Sequence, residues 1–146
     1  MSQTNRREFL VGASVTMGSC LLCPHSLLAA ATAPVDIGPA ADFAKQGLSE
    51  KWTSQGFFVV RSGNRLYALI TECSHKRYEL GVQAGQIKCP KHGSIFDLAG
   101  KPTKGPASRA LARLAIQRDA NGHIVVDPTR RFQEKQWNDP ASFVAL

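Results

Sequence analysis

Several kinds of residue and pattern are scarce in this sequence, and each scarcity excludes a class of protein. Acidic side chains are outnumbered, with 11 Asp and Glu against 18 Lys and Arg, which gives a formal net charge of +7. Beyond the N-terminal Arg6-Arg7 pair, the basic residues are scattered from Lys45 to Lys135 without a long run or interleaved aromatics, so we expect no nucleic-acid surface. Internal repeats, low-complexity tracts and convincing amphipathic helical patterns are absent, which disfavours repeat proteins and helix bundles.

The chain is also short. Its 146 residues, 43% of them hydrophobic, suit one globular domain with a short appendage and are too few for two sizeable cores. A loop-rich domain of this size gains stability from a bound metal or a cross-link. The sequence contains only four cysteines and four histidines, so their placement is informative.

Residues 1–33 have the three-part layout of an export signal. Arg6-Arg7 precedes an apolar, small-residue run over residues 9–31, and Ala-Thr-Ala at residues 31–33 is typical of a cleavage site. The paired arginines resemble a twin-arginine translocation signal, which carries proteins already folded around a cofactor. Asn5 departs from that pattern, because Ser or Thr is usual at its position. We predict that residues 1–33 are a twin-arginine export signal or a membrane anchor.

Cleavage of this segment decides the expected location of the protein. A cut after Ala33 would release a soluble periplasmic domain. An uncleaved run of 23 residues at 9–31 is long enough to span a bilayer and would hold the protein at the periplasmic face of the inner membrane. Cys20 and Cys23 lie inside this run, so we expect them to leave with the signal.

The rest of the sequence alternates short apolar runs with turns. Residues 57–70 contain two apolar runs around a Ser-Gly-Asn turn, and residues 111–126 contain two around an Asp-Ala-Asn-Gly turn, which predicts two β-hairpins. Short strands with Gly-rich turns predict an all-β fold, a small antiparallel β-sandwich or barrel. We assign residues 34–51 to a linker or first edge strand, residues 52–127 to the domain and residues 128–146 to a C-terminal surface tail.

Two cysteines and two histidines of this domain form a pair of short motifs. Cys73-Ser-His75 and Cys89-Pro-Lys-His92 each follow an apolar run, and 13 residues separate the motifs. Such spacing predicts a metal site. Zinc accepts two thiolates and two imidazoles, although structural zinc sites more often have closely spaced cysteine and histidine pairs. One thiolate and one imidazole from each loop instead suit two irons bridged by sulfide, with two cysteines on one iron and two histidines on the other.

Residues 73–97 resemble the cluster-binding motif of Rieske [2Fe-2S] proteins, and residues 57–126 are similar to the whole small Rieske β-domain. The resemblance implies a Rieske-type β-fold with two cluster-binding loops and one [2Fe-2S] cluster, held by Cys73 and Cys89 on the inner iron and by His75 and His92 on the outer iron. Ser94 matches the serine that donates a hydrogen bond to a bridging sulfide. Gly105-Pro106 fits the family's third, proline-containing loop.

Departures from the family pattern narrow the subtype. Quinol-oxidising Rieske subunits join their two loops by a disulfide at the positions of Tyr78 and Lys91, which cannot form it. Phe96 stands where those subunits have a tyrosine that bonds a cysteine sulfur, so we predict an intermediate reduction potential. Ring-hydroxylating oxygenases need a second, catalytic iron domain, for which 146 residues leave no room.

The resemblance implies one-electron transfer, by an exported carrier or by the electron-transfer subunit of a redox complex, rather than a stand-alone enzyme. Arsenite oxidase small subunits resemble the chain in joining a twin-arginine signal to a Rieske domain. A membrane-anchored Rieske subunit of a quinol-cytochrome c oxidoreductase is the alternative, and a zinc-binding structural module is a third. Expected partners are a cytochrome or a larger oxidoreductase subunit, or quinol, and the basic surface suits an acidic redox partner.

Overall fold

Strands dominate residues 33–146, the part of the chain that this computed structural model describes. Residues 1–32, which hold most of the predicted export signal and the predicted anchor, lie outside the described residues. The strands are β1 (Val35–Pro39), β2 (Gly47–Ser49), β3 (Phe57–Ser62), β4 (Arg65–Ile70), β5 (Gly81–Gln83), β6 (Gln86–Lys88), β7 (Ile95–Phe96), β8 (Pro102–Lys104), β9 (Arg113–Arg118), β10 (His123–Phe132) and β11 (Val144–Ala145). Single-turn 3₁₀ helices span Ala40–Phe43, Thr53–Gln55, Glu134–Gln136 and Pro140–Ser142.

Two antiparallel sheets make up the fold, and the predicted all-β class is confirmed. The larger sheet has the order β1-β10-β9-β4-β3-β2, with β11 added beside β4. The smaller sheet has the order β5-β6-β7-β8 and lies in the chain between β4 and β9. Because β4 and β9 pair with each other, the chain leaves and re-enters the larger sheet at neighbouring points, where the Ile70 N–H donates to the Ala112 carbonyl at 3.1 Å.

The hairpin of β3 and β4 forms the centre of the core. Its turn is two residues long, with Gly63 at φ 59°, the left-handed conformation that a type II′ turn requires at its first position. Residues 57–60 are all buried, so β3 is covered on both faces, which explains its unbroken apolar run. The Ile70 end of this hairpin leads directly into Thr71 and Cys73.

The C-terminal residues take part in the larger sheet. β10 continues to Phe132, well beyond the predicted domain boundary at residue 127, and β11 pairs with β4. The Arg113 guanidinium lies between two aromatic rings, 3.8 Å from the centroid of Tyr67 and 4.2 Å from that of Trp137. Residues 128–146, predicted as a surface tail, thus contain the end of β10, the strand β11 and two buried aromatic side chains, those of Phe132 and Trp137.

No helix among residues 33–146 is both long enough and apolar enough to cross a membrane.

Candidate metal centre

Three loops meet at one end of the molecule. The first loop (residues 71–80) joins β4 to β5, the second loop (residues 89–94) joins β6 to β7, and the third loop (residues 105–112) joins β8 to β9. The paired strands of the smaller sheet bring the ends of the first two loops together, since β5 pairs with β6 and β6 with β7.

The first and second loops share one backbone hydrogen-bond pattern. In each loop the cysteine N–H donates to the carbonyl five residues later, that of Tyr78 or Ser94, at 2.8 Å. The cysteine carbonyl accepts from the N–H four residues later, at 2.8 Å from Arg77 and 3.1 Å from Gly93. Arg77 and Gly93 both have positive φ, 55° and 73°, a conformation that glycine adopts freely and other residues adopt at a cost. The two motifs are thus the same local fold used twice.

This shared fold turns the thiols inward. Cys73 and Cys89 are 1% and 0% exposed, and neither forms a disulfide. Burial opposes ionisation of Cys89, but the backbone N–H groups of His92 and Lys91 and the Cys73 thiol donate to its sulfur, and the net result lowers the pKa of Cys89. A thiolate in this position is therefore solvated by the protein in place of water, as a metal ligand requires.

The same fold turns the imidazoles outward. His75 and His92 are exposed, and their ring centroids lie 5.1 Å apart in an edge-on arrangement. The Tyr78 ring lies 5.4 Å from the His92 ring, and the Lys91 Nζ lies 5.8 Å from the centroid of Tyr78. Tyr78 and Lys91, which by resemblance correspond to the disulfide positions of quinol-oxidising Rieske subunits, therefore lie close to each other across the two loops.

The third loop is bonded to both of the others. The Ser74 Oγ donates to the Arg109 carbonyl at 2.6 Å, and the Arg109 Nη2 donates to the Ser74 carbonyl at 3.3 Å. On the other side, the Ala107 N–H donates to the Ser94 Oγ at 3.2 Å. A Cβ at Gly105 would lie 2.5 Å from the Ser94 Cα, so only glycine allows this approach. The third loop thereby closes the centre from one side.

Ser94 lies where the second and third loops meet, and its side chain is fully buried. Because its oxygen accepts from Ala107, the hydroxyl proton remains available to donate.

The four predicted ligands form an inner pair and an outer pair. Among residues 33–146 no three His, Cys, Asp or Glu side chains converge as a single metal ion requires. A Rieske cluster takes two thiolates on one iron and two imidazoles on the other, with sulfides between them, so it needs pairs of ligands set apart. The buried thiols and the exposed imidazoles fit such a cluster.

Positive charge surrounds the exposed histidines. Lys76 and Arg77 of the first loop, Lys91 of the second and Arg109 of the third are all exposed. An open cavity of about 210 Å³ reaches Cys73 and His75 and is lined by three arginines from separate segments: Arg77, Arg109 and Arg131. Within residues 33–146, Arg131 is the one of these three arginines that forms an ion pair, with Glu72 at 3.3 Å.

The fold and the candidate site define an all-β protein in which two equivalent loops each contribute one buried thiol and one exposed imidazole at one end of the molecule. The sequence profile of the Rieske [2Fe-2S] domain matches residues 33–118, more than half of the chain. The chain belongs to the Rieske [2Fe-2S] domain family, whose cofactor is a [2Fe-2S] cluster.

Curated relatives of the chain are iron-sulfur subunits of cytochrome bc1 and cytochrome b6-f complexes. The chain is 41% identical over 68 residues to the Rieske iron-sulfur subunit of the cytochrome bc1 complex of Corynebacterium efficiens, a match that covers 42% of this chain and 16% of that protein. It is 34% identical over 76 residues to cytochrome b6-f complex iron-sulfur subunit 1 of Trichormus variabilis. This match covers 49% of this chain and 42% of that protein. Among solved structures, the plasma membrane Rieske protein of Synechocystis PCC 6803 is 28% identical to this chain. The structural match covers 63% of this chain and 97% of that protein, with a TM-score of 0.46.

Sequence reasoning missed the residues that tie the third loop in place. Ala107 and Arg109 belong to no motif, and Ser74 stands in the first motif only as the residue between the two candidate ligands. Their bonds join positions 13 to 35 residues apart. The Gly105-Pro106 pair was the available signal, because it predicted a third loop. The side chains that contact the third loop depend on the register of the smaller sheet, which the sequence does not reveal.

Proposed function

We propose that the chain transfers single electrons, as an exported carrier or as the electron-transfer component of a redox complex, with Cys73, His75, Cys89 and His92 as its cluster ligands. When bound, a Rieske [2Fe-2S] cluster accepts and releases one electron at about −150 to +300 mV. The observation that carries the proposal is the repeated loop fold, which buries both thiols and exposes both imidazoles.

Each part of this arrangement has a role in the proposed transfer. The buried cysteines keep water from the inner side of the site, which protects the sulfur ligands from exchange and oxidation. The exposed His75 and His92 rings bring the outer side to the molecular surface, within reach of a partner. The bonded third loop keeps these positions fixed, which keeps small the rearrangement that accompanies each electron.

We further propose that the partner binds over the histidines and presents acidic groups. Tyr78 is 41% exposed and is the one large hydrophobic side chain so exposed among the described residues, and it lies against His92. A central aromatic surrounded by charged residues is the usual anatomy of a protein interface. Here the surrounding charges are mostly basic, and complementary charge raises the rate of encounter. The set comprises Lys76, Arg77, Lys91 and Arg109.

Small redox probes of opposite charge test both proposals on the full chain. Reduced protein is mixed with ferricyanide, an anion, or with tris(phenanthroline)cobalt(III), a cation, in a stopped-flow instrument. We expect the ferricyanide rate to fall as salt is added and the cobalt rate to rise, since salt screens attraction and repulsion alike. In Lys76→Glu the ferricyanide rate at low salt should fall about fivefold.

Arg118→Glu is the matched control, because Arg118 is exposed at the end of β9 that is distant from the third loop. It should change both rates by less than about twofold. Equal effects of the two substitutions would refute the proposal that basic residues around the histidines attract the partner. A dithionite-reduced protein whose cluster neither probe reoxidises would refute electron transfer itself.

A membrane-anchored Rieske subunit of a quinol-cytochrome oxidoreductase is the second candidate, favoured by the names of the curated relatives. Determining the N-terminus of the mature protein distinguishes the anchored subunit from the exported carrier. We propose export by the twin-arginine route with cleavage after Ala33, so the chain recovered from the periplasm should begin at Pro34. Recovery of an uncleaved chain in the membrane fraction would favour the anchored subunit.

The proposed export route has a direct test. Changing Arg6 and Arg7 together to lysine keeps the positive charge and removes the paired arginines that the route recognises. We expect the cluster-containing protein to accumulate in the cytoplasm. Unchanged export of the double variant would mean that residues 1–33 act through another pathway.

A further inference from the structure

A second cavity, of about 400 Å³, lies at the end of the β3–β4 hairpin that is farther from the three loops. Arg61 and Leu66 line it, and these two residues pair beside the hairpin turn, whereas Phe57 and Ile70 pair at the end that leads into the first loop. Its volume falls within the range of about 300 to 1,000 Å³ that is usual for small-molecule sites.

Arg61 in this cavity carries polar atoms with no partner. Its Nε and Nη1 are buried and make no hydrogen bond within residues 33–146. The ion pairs of the described residues also leave Arg61 out. Arg61 as a whole is half-buried, but these two atoms have lost water without gaining a partner, which is unfavourable. The Arg61 guanidinium places positive charge at the wall of the cavity, and a carboxylate or phosphate is the kind of group that pairs with arginine.

The remaining lining fits an anion that also has an apolar part. Phe43 and Trp52 form the aromatic wall, with ring centroids 5.9 Å apart and only 8% and 7% of each side chain exposed. Lys45 and Lys51 also line the cavity, together with a single carboxylate, that of Asp42, so positive charge is in excess. The polar Gln46 is already engaged, because its side chain donates to and accepts from the Gly63 backbone at 2.9 and 2.8 Å.

We propose that this cavity binds a small organic anion, with its carboxylate or phosphate group on Arg61 and its apolar body against Phe43 and Trp52. This site is independent of electron transfer, because it shares no residue with the three loops.

Matched probes separate charge from shape. The full-length, cluster-loaded protein is titrated with benzoate, with benzamide and with inorganic phosphate, and the Trp52 indole N–H and the backbone amides of residues 45–51 are followed by NMR. Benzoate and benzamide have nearly the same shape, but only benzoate carries charge. We expect benzoate to shift these signals at concentrations up to about 10 mM, at which benzamide and phosphate leave them unchanged.

Variants then test the assigned contact. Arg61→Met keeps an unbranched side chain of similar length and removes the donors, and we expect it to weaken benzoate binding at least tenfold. The variant should fold, because methionine removes two buried polar atoms that have no hydrogen-bond partner. An unchanged electron paramagnetic resonance (EPR) spectrum of its cluster would check this. Arg118→Met, at an exposed arginine outside the cavity, should bind benzoate as the native protein does.

Each of the following results would overturn the proposal. They are the absence of shifts with benzoate, equal binding of benzamide, and unchanged affinity in a folded Arg61→Met. Phosphate binding as tight as that of benzoate would also overturn it, since the apolar wall would then contribute nothing.

Discussion

Ser94 joins two loops of the candidate centre through one hydroxyl group. Its oxygen accepts from the Ala107 N–H, and we propose that its proton is donated to a sulfide of the cluster. A hydrogen bond to sulfide stabilises the reduced cluster more than the oxidised one, because reduction adds negative charge. The bond therefore raises the reduction potential.

We predict that Ser94→Ala keeps the cluster and lowers its potential by roughly 60 mV, the one-electron equivalent of about 1.4 kcal/mol. A redox titration followed by EPR gives the value. Ser108→Ala, at an exposed serine of the third loop, is the control and should leave the potential unchanged. A potential for Ser94→Ala equal to that of the native protein would remove the role assigned to this hydroxyl.

Gly105 allows the third loop to approach the second. An added Cβ would lie 2.5 Å from the Ser94 Cα and 2.8 Å from the Ser94 nitrogen, and the φ of Gly105 is 97°. We predict that Gly105→Ala destabilises the fold by about 3 kcal/mol or more and weakens cluster retention, because backbone atoms must separate. Thermal unfolding and an iron count give the two readouts.

Gly122→Ala is the matched control for Gly105→Ala. Gly122 has a similar φ, 82°, but no atom lies within 4 Å of its added Cβ. It should cost only the strain of the left-handed conformation, about 1 kcal/mol. Equal losses in the two variants would show that the close approach to Ser94 contributes nothing.

At the scale of elements, the C-terminal segment is held to the sheet by stacked side chains. Trp137 covers the Arg113 guanidinium, which also lies against Tyr67. The Ser142 Oγ donates towards the Trp137 carbonyl at 2.9 Å and fixes the following turn. We predict that Trp137→Ala lowers the free energy of unfolding by about 3 kcal/mol, measured by chemical denaturation, and leaves the EPR signal unchanged.

Lys135→Ala is the comparison for Trp137→Ala, because Lys135 is exposed in the same segment. It should change the free energy of unfolding by less than about 0.5 kcal/mol. If Trp137→Ala proved equally mild, residues 128–146 would be a surface tail after all.

The edge strand β1 is joined to β10 by one ion pair, between the Asp36 Oδ2 and the His123 Nδ1 at 2.8 Å. Their hydrogen bond lowers the pKa of Asp36 and raises the pKa of His123. The stabilisation from His123 is complete below its ordinary pKa of 6.5 and is lost as pH rises through the raised value. The stabilisation from Asp36 is complete above 3.8 and is lost as pH falls through the lowered value.

We therefore predict that His123→Gln destabilises the protein most between pH 3.8 and 6.5, and less at alkaline pH. Unfolding curves of both proteins across this range give the difference. An Asp36→Asn, His123→Gln double variant should differ little from the single one, because either change removes the pair. A difference that grows with rising pH would contradict this pairing.

At the scale of the whole molecule, features set by local sequence patterns could be predicted, whereas features set by long-range strand pairing could not. The hairpin of residues 57–70 and the paired motifs at Cys73 and Cys89 are short-range features, set by turn chemistry and ligand spacing. The insertion of the smaller sheet between β4 and β9 depends on strand register across more than forty residues, which no local pattern encodes. The same limit hid the Ser74–Arg109 bonds, which join positions 35 residues apart.

At Phe96, burial and the family resemblance give different information. Phe96 is fully buried in β7 and pairs with Ile87, so its apolar character alone indicates a core residue. Its relevance to the reduction potential comes only from the resemblance to Rieske proteins that have a tyrosine at the position of Phe96. Burial explains why the position is aromatic, whereas the missing hydroxyl is the basis of the predicted intermediate potential.

The EPR spectrum of the dithionite-reduced full chain, with iron and sulfide counted on the same sample, tests the central claim most directly. We predict a rhombic signal with an average g near about 1.9 and about two irons per chain, which a cluster with mixed cysteine and histidine ligands gives. The signal should be lost in His75→Ala and His92→Ala. A reduced protein without this signal, or one that binds zinc in place of iron, would contradict the account.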